Sequence, residues 1–341
     1  MKILVIGSGL AGISIAERML EMNIDVHILS DTQRPSSTRI ATGMYNPVVF
    51  RRLNLSWMID DLLPVMHDLY SALEKKLGIA LNEPIRFAKK IPSKDYATLW
   101  QKRQPDEPHV RYMDPIHDGY GPVKQAGMID CTELQRAYQD WLRTNGRLID
   151  RNFSYDELAL TDHGVKIEEG EFDTVIFCDG PYAVENPYFN WLPFNLCQGE
   201  WIIIETESPL PIDQVVNNKT NVIPLGGNRY KLSSTYSWKT LDWQPHEEAK
   251  QELIKNYEKL FQVPYTVVEH EAAQRPTVAD RRPYLGRHPK HKQLAIFNGL
   301  GSKGVMLTPY FSKHLVEHLL EGKELMEEVD ILRHGKRFGG V

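Results

Sequence analysis

The chain has 341 residues, of which 42% are hydrophobic and 25% charged, with a formal net charge of -5. That length accommodates about two domains with a well-buried core, and the composition excludes a disordered or fibrous chain. The acidic balance argues against a protein that coats nucleic acid, which would show a basic stripe.

No apolar run approaches the roughly 18 residues of a membrane span, and the opening residues lack the charged stretch, apolar core and cleavage site of a secretory leader. A cytoplasmic protein is the expectation. Cys131, Cys178 and Cys197 are odd in number and lack C-x-x-C spacing. They read as small buried hydrophobes rather than as a disulfide framework or zinc site.

The chain opens MKILVIGSGLAGISIAERML. Ile3 to Ile6 reads as a short buried strand, and Leu10 to Met22 as a helix with Ile13, Ala16, Met19 and Leu20 on one face. Between them Gly7, Gly9 and Gly12 spell G-x-G-x-x-G. In such a loop the first glycine permits the tight turn, the second lets backbone approach a pyrophosphate and the third lets helix and strand pack closely. The helix N-terminus adds N–H donors and partial positive charge. Dinucleotide binding is the reading. The acidic ribose ligand expected at the end of the second strand, Val26 to Leu29, is replaced by Ser30, with Asp31 one step later, so either residue is the candidate.

The stretch TQRPSSTRIATGMYNP has no hydrophobic period and reads as a long functional loop. A helix broken or kinked at Pro64 follows, then a turn-rich region from Pro92 to Pro122 with short strands. DCTELQRAYQDWLRTNG gives a helix capped by Thr132 and closed by Gly146, and FDTVIFCDGP a strand buried on both faces. From Gln198 to Trp238 the β-branched and aromatic runs predict an antiparallel sheet. A helix near Pro245 to Phe261 comes next. His314 and His318, four apart on the last helix, lack a third metal ligand nearby and read as surface or packing residues.

A second glycine cluster, NGLGSKG, ends a strand and opens that last helix. A nicotinamide enzyme has no need of it. A reduced flavin, negatively charged along one edge of its ring, gains from N–H groups, a helix dipole and a cation such as Lys303.

These segments, with SSTRIATGMYNP and AAQRPTVADRRPYLGRHP, recur in the order and spacing of FAD-dependent oxidoreductases, and the chain resembles the family of D-amino acid oxidase, glycine oxidase and sarcosine oxidase. NGLGSKGVMLTPYFSKHL also resembles the flavin domain of the bifunctional enzyme that trims a carboxymethylaminomethyl group on wobble uridine of tRNA. The resemblance implies an α/β fold. A Rossmann-type FAD domain of the glutathione reductase kind would be assembled from residues 1–75, 120–185 and 272–341, and an α+β substrate domain on an antiparallel sheet from 76–119 and 186–271.

By position it places Gly7, Gly9, Gly12 and Ser37 at the pyrophosphate, Ala41, Thr42 and Gly43 along the flavin, and Phe153 at the adenine. Gly301, Ser302, Lys303 and Gly304 fall at the pyrimidine edge of the flavin, and Leu10, Ala11, Cys178, Gly180 and Val305 complete the cofactor set. Family members that attach FAD covalently use a His or Cys near the glycine loops; neither is present, so noncovalent FAD is implied.

Arg275 matches the arginine that pairs with a substrate carboxylate, a task suited to its two parallel donors. Tyr236 falls at a pocket position, Tyr45 and Met44 follow the flavin loop, and Asn221 stands where glycine oxidases carry a tyrosine, which counts against a simple amino acid substrate. The implied activity is oxidation of a C–N bond in an amino acid or N-substituted glycine, with oxygen or a quinone as electron acceptor. Arg275, Tyr236 and Lys303 are the catalytic candidates. Oxidative trimming of a modified tRNA base and a flavin-binding protein without turnover are the alternatives.

Overall fold

A computed structural model describes residues 1–338. Five parallel strands, Leu148–Ile149, Asp25–Leu29, Lys2–Ile6, Thr174–Phe177 and Leu294–Asn298, lie side by side in that order, and Tyr284–Arg287 pairs antiparallel at the edge. Thr174–Phe177 is buried at every position, as a central parallel strand must be. The register sets Ile6 beside both Leu29 and Phe177, and Phe177 beside Ile296. Three chain exits therefore share one edge of the sheet: the Gly7–Gly9 turn, the Cys178–Gly180 turn and the Gly299–Gly304 turn. Ligands of open α/β sheets bind at such a carboxyl edge.

The helices that start at Leu10 and at Gly304 run back from this edge, and they meet where Leu10 Cδ1 lies 3.5 Å from the space a Cβ on Gly304 would fill. Helices Ile59–Leu77 and Cys131–Thr144 complete this layer and bury Leu62, Met66, Leu69, Tyr138 and Leu142 in the shared core.

A seven-stranded sheet forms the second layer, in the order Tyr265–Arg275, Cys197–Thr206, Arg229–Ser233, Thr220–Pro224, Val215–Asn218, Phe87–Lys90, Tyr120–Val123. All its pairings are antiparallel except that of Val215–Asn218 with Phe87–Lys90. Tyr120–Val123 and the end of Tyr265–Arg275 lie in this sheet, although the sequence-based limits assign 120–185 and 272–341 to the other domain. Helix Glu247–Glu258 covers its outer face with Leu253, Ile254 and Tyr257.

Four local expectations are corrected. The 32–47 stretch is not all loop: it holds a one-turn helix, Ser37–Ile40, and a strand, Met44–Tyr45. Pro64 does not break its helix, which runs unbroken from Ile59 to Leu77; the proline sits in its second turn, and Met66, Leu69, Tyr70 and Leu73 bury the face beyond it. Between Pro92 and Pro122 lies a helix, Lys94–Arg103, capped by Ser93. Trp100 is its one buried residue, so no apolar period marks it. Asp130, not Thr132, caps the Cys131–Thr144 helix by accepting from the Glu133 N–H; the Thr132 hydroxyl donates to the Arg39 carbonyl.

Candidate functional site

A cavity of about 350 Å³ runs along the carboxyl edge of the parallel sheet and under the seven-stranded sheet. Gly7, Gly9, Leu10, Ala11, Ser30, Asp31, Ser37, Ala41, Thr42, Gly43 and Phe153 line it, as do Cys178, Gly180, Gly301, Ser302, Gly304 and Val305. The two glycine turns, almost 300 residues apart in sequence, thus open onto one space. Arg275 and Tyr236 line its roof, with Trp201, Asn221 and Ser233 beside them.

Two members of the expected set do not reach the cavity. Gly12 is used for packing: a Cβ there would lie 1.9 Å from the Gly7 carbonyl oxygen, so only glycine lets the helix close on the turn before it. Lys303 turns away, and its ammonium donates to Ser56 Oγ at 2.6 Å. Burial, with Arg281 and Arg282 nearby, lowers its pKa to about 8. The Lys303 ammonium is therefore directed to Ser56 and away from the cavity, where the sequence placed it at a flavin edge. Met44 lines the cavity, but Tyr45 does not: its hydroxyl donates to Asn82 Oδ1 at 2.9 Å and its ring fills the space beside Gly127.

At one end Ser30 Oγ lies 2.8 Å from Ser8 Oγ, while Asp31 accepts from the Gln33 N–H within its own turn. Ser37 donates to the Gln274 carbonyl at 2.5 Å, which ties the Ser37–Ile40 helix to the roof. Thr38, which no sequence motif singles out, accepts from the Leu10 N–H at 3.1 Å. Asp179, in the CDGP segment, is likewise absent from the sequence-based candidates. It lines the cavity and accepts from the Tyr155 hydroxyl, Asn186 Nδ2 and Asn298 Nδ2. Burial nonetheless raises its pKa to about 6.

His314 and His318 serve packing: His314 Nε2 accepts from the Met326 N–H, and His318 Nδ1 lies 2.7 Å from the Lys323 carbonyl. Among the described residues no group of three His, Cys, Asp or Glu side chains is placed to hold a metal.

The roof owes its shape to one small residue. Gly199 faces the cavity, and the Arg275 guanidinium from the neighbouring strand lies over it. Arg275 Nη1 donates to the Thr235 carbonyl at 3.1 Å, and the guanidinium carbon sits 4.5 Å from the centre of the Tyr236 ring. Among the described residues no carboxylate pairs with it and its Nε and Nη2 donate to no protein group. Trp201, buried beside it, donates its indole N–H to the Ile40 carbonyl at 2.7 Å and so joins roof to floor.

The site suits FAD on its own chemistry. Neither the Leu10–Glu21 nor the Gly304–Glu321 helix has a side-chain cap or an acidic residue in its first turn. The Leu10 N–H goes to Thr38 and the Met306 N–H to the Lys303 carbonyl, but the Ala11, Gly12, Gly304 and Val305 N–H groups have no acceptor among the described residues and are left for an outside one. The first helix matches a pyrophosphate and the second an electron-rich ring edge.

Among solved structures the chain is similar to glycine oxidase from Geobacillus kaustophilus at 19% identity, with a TM-score of 0.73 over 95% of each chain. It is similar to iminodiacetate oxidase from Chelativorans sp. at 19% identity and a TM-score of 0.72, over 96% of this chain and 98% of that one. L-proline dehydrogenase from P. horikoshii matches at 16% identity and a TM-score of 0.75 over 98% of each. These likenesses show the fold. The family model described as FAD dependent oxidoreductase matches residues 2–318. No helix among the described residues is long and apolar enough to cross a membrane. The chain belongs to the DAO family of FAD-dependent oxidoreductases.

Proposed function

We propose that the protein oxidises the C–N bond of an amino acid or N-substituted glycine to an imine, which water then hydrolyses. The observation that carries this reading is the Arg275 guanidinium, which lines the cavity with no carboxylate on it among the described residues and donors to spare. A planar fork of that kind suits a substrate carboxylate. The names of the similar structures, glycine oxidase, iminodiacetate oxidase and proline dehydrogenase, support the same substrate class.

FAD, when bound, would supply a two-electron acceptor for the hydride of the α C–H, and the amine lone pair would complete the C=N bond of an iminium, the protonated imine. The side chains supply position. Arg275 anchors the carboxylate, the buried Trp201 closes one wall, and Tyr236 stacks on the guanidinium at the rim. No protein base is required for a neutral amine held in this way. Oxygen or a quinone takes the electrons onward, and the cytoplasm is the proposed location.

Anaerobic addition of N-substituted glycines to the yellow holoprotein tests the proposal: loss of flavin absorbance is expected. Arg275→Leu should keep the flavin spectrum and raise the substrate concentration for half-maximal reduction about 10- to 100-fold, the effect of one charge-assisted contact. Bleaching by bulk tRNA and by no small amine would replace this reading.

A further inference from the structure

Lys89 presents an anomaly. It is 7% exposed, and among the described residues no carboxylate pairs with it, while the like charge of Lys219 opposes its own. An unpaired buried ammonium is costly, and its pKa falls to about 8. Its one hydrogen bond runs from Nζ to Asn217 Oδ1 at 2.7 Å, and Asn217 Nδ2 in turn donates to Asn221 Oδ1 at 2.7 Å.

These residues form a single rung across the roof sheet. Lys89 is the register partner of Asn217, Asn217 of Asn221, Asn221 of Ser233 and Ser233 of Trp201. The rung begins at a buried cation and ends among residues that line the cavity. Its polarity follows from donor chemistry. An ammonium can only donate, so Asn217 must turn its oxygen to Lys89 and its NH2 to the next residue. Asn221 must then offer its oxygen to Asn217. Its own Nδ2, with no protein partner among the described residues, is left as a donor on the cavity side.

This donor and Arg275 hold different parts of a ligand. The guanidinium lies over Gly199, and Gly199 and Asn221 are two strand spacings apart across the sheet and two residues apart along it, about 12 Å. Backbone sites that far apart present the two donors to separate acceptor groups of a ligand.

We infer that Asn221 is a substrate-binding residue, oriented as a donor by Lys89 through Asn217, and that the substrate carries a second acceptor oxygen apart from the carboxylate on Arg275. An N-carboxymethyl amino acid has this form. The inference rests on the amine-oxidation reading for the reaction, but not for the binding. Lys89 and Asn217 are positioning residues.

The test uses holoprotein and a thioether that cannot be oxidised as an amine. Thiodiacetate and (methylthio)acetate are titrated while the flavin absorbance is followed. Thiodiacetate is expected to bind at least 10-fold more tightly, and Asn221→Leu to abolish that preference. Asn217→Asp, which keeps the partner of Lys89 as an ion pair, forces Asn221 to turn its NH2 toward position 217 and its oxygen toward the ligand. Thiodiacetate should then weaken at least 10-fold, and its monoamide, which has an N–H to give, should become the better ligand. A purely structural role would not reverse that order.

Equal affinities for the two thioethers, or Asn221→Leu and Asn217→Asp variants that rank the ligands as the unaltered protein does, would overturn the inference even if amines bleach the flavin. Conversely, the predicted ranking with no bleaching by any amine would uphold the binding inference and overturn the proposed reaction.

Discussion

The Arg275 guanidinium occupies the space that a side chain at position 199 would need: a Cβ on Gly199 would lie 1.8 Å from Nη2 and 2.1 Å from Cζ of Arg275. The arginine is thus placed by the absence of an atom on the adjacent strand. Gly199→Ala should displace the guanidinium without altering its charge. The expected result is a carboxylate affinity at least about 10-fold weaker, with flavin content and far-UV circular dichroism unchanged. An unchanged affinity would show that the guanidinium works from some other position.

A second prediction concerns the opening turn. Gly12→Ala would put Cβ 1.9 Å from the Gly7 carbonyl oxygen, which is main chain and cannot swing aside. The helix must back away from the strand, at a cost of about 2–3 kcal/mol, as for other overpacked sites. The protein should purify with little FAD and unfold at lower denaturant; full retention of the yellow colour would contradict this account of the loop.

Asp179 carries a pH dependence whose sign is set by burial. Its pKa is raised from an ordinary 3.8 to about 6. Because the folded value is the higher, its contribution to stability is fully present below about pH 4 and is lost as pH rises through about 6. Without added FAD, the melting temperature of the unaltered protein relative to Asp179→Asn should therefore fall between pH 4 and pH 7. A gap that does not change with pH would mean the carboxyl is already ionised at pH 4 in the fold.

The outer face of the roof holds a further pH-sensitive element. Buried Glu200 accepts from the His246 N–H at 2.8 Å, with His246 Nδ1 at 3.0 Å and His270 Nε2 at 2.9 Å, while Gln198 Oε1 accepts from the N–H groups of Asp242 and Trp243. These bonds pin residues 234–246, and Trp243 of that segment stacks on the cavity residue Tyr182 with ring centres 5.7 Å apart. The Glu200 hydrogen bond, aided by Asp242, raises the His246 pKa against the opposing effect of its burial. A raised folded value means that this contribution is present below the ordinary 6.5 and is lost as pH rises through the folded value. Hydrogen exchange in 234–246, corrected for its intrinsic rate, should quicken from pH 6 to pH 8.5, and Glu200→Gln should remove the difference.

The parts of the site that are legible in the amino-acid sequence are those whose chemistry is local. A strand running straight into G-x-G-x-x-G has few uses for bare backbone other than a tight turn and an approaching anion, and the same holds for NGLGSKG. Gly7, Gly9 and Gly301 stand where that reasoning puts them, at one cavity. Arg275 is identified through family resemblance, and it too lies there.

Side-chain direction is not legible in the same way. Lys303 belongs to the right turn, yet its ammonium goes to Ser56, 247 positions earlier; Tyr45 follows the cavity loop but is drawn to Asn82 and Gly127. The 94–103 helix leaves no mark in the hydrophobic pattern because one buried tryptophan makes no period. The Lys89–Asn217–Asn221 rung is the strongest case. It exists only because a strand near residue 88 pairs in parallel with one near residue 216, and no local pattern in either segment announces the pairing.

Local backbone demands are thus written into the chain as glycines at strand ends, because the conformation and close approach they permit depend on residues next to one another. Which side chains share the cavity, and which way their hydrogen bonds run, depends on strand register and on who occupies the neighbouring space. Those are properties of distant segments brought together by a common core, and only the tertiary structure decides them.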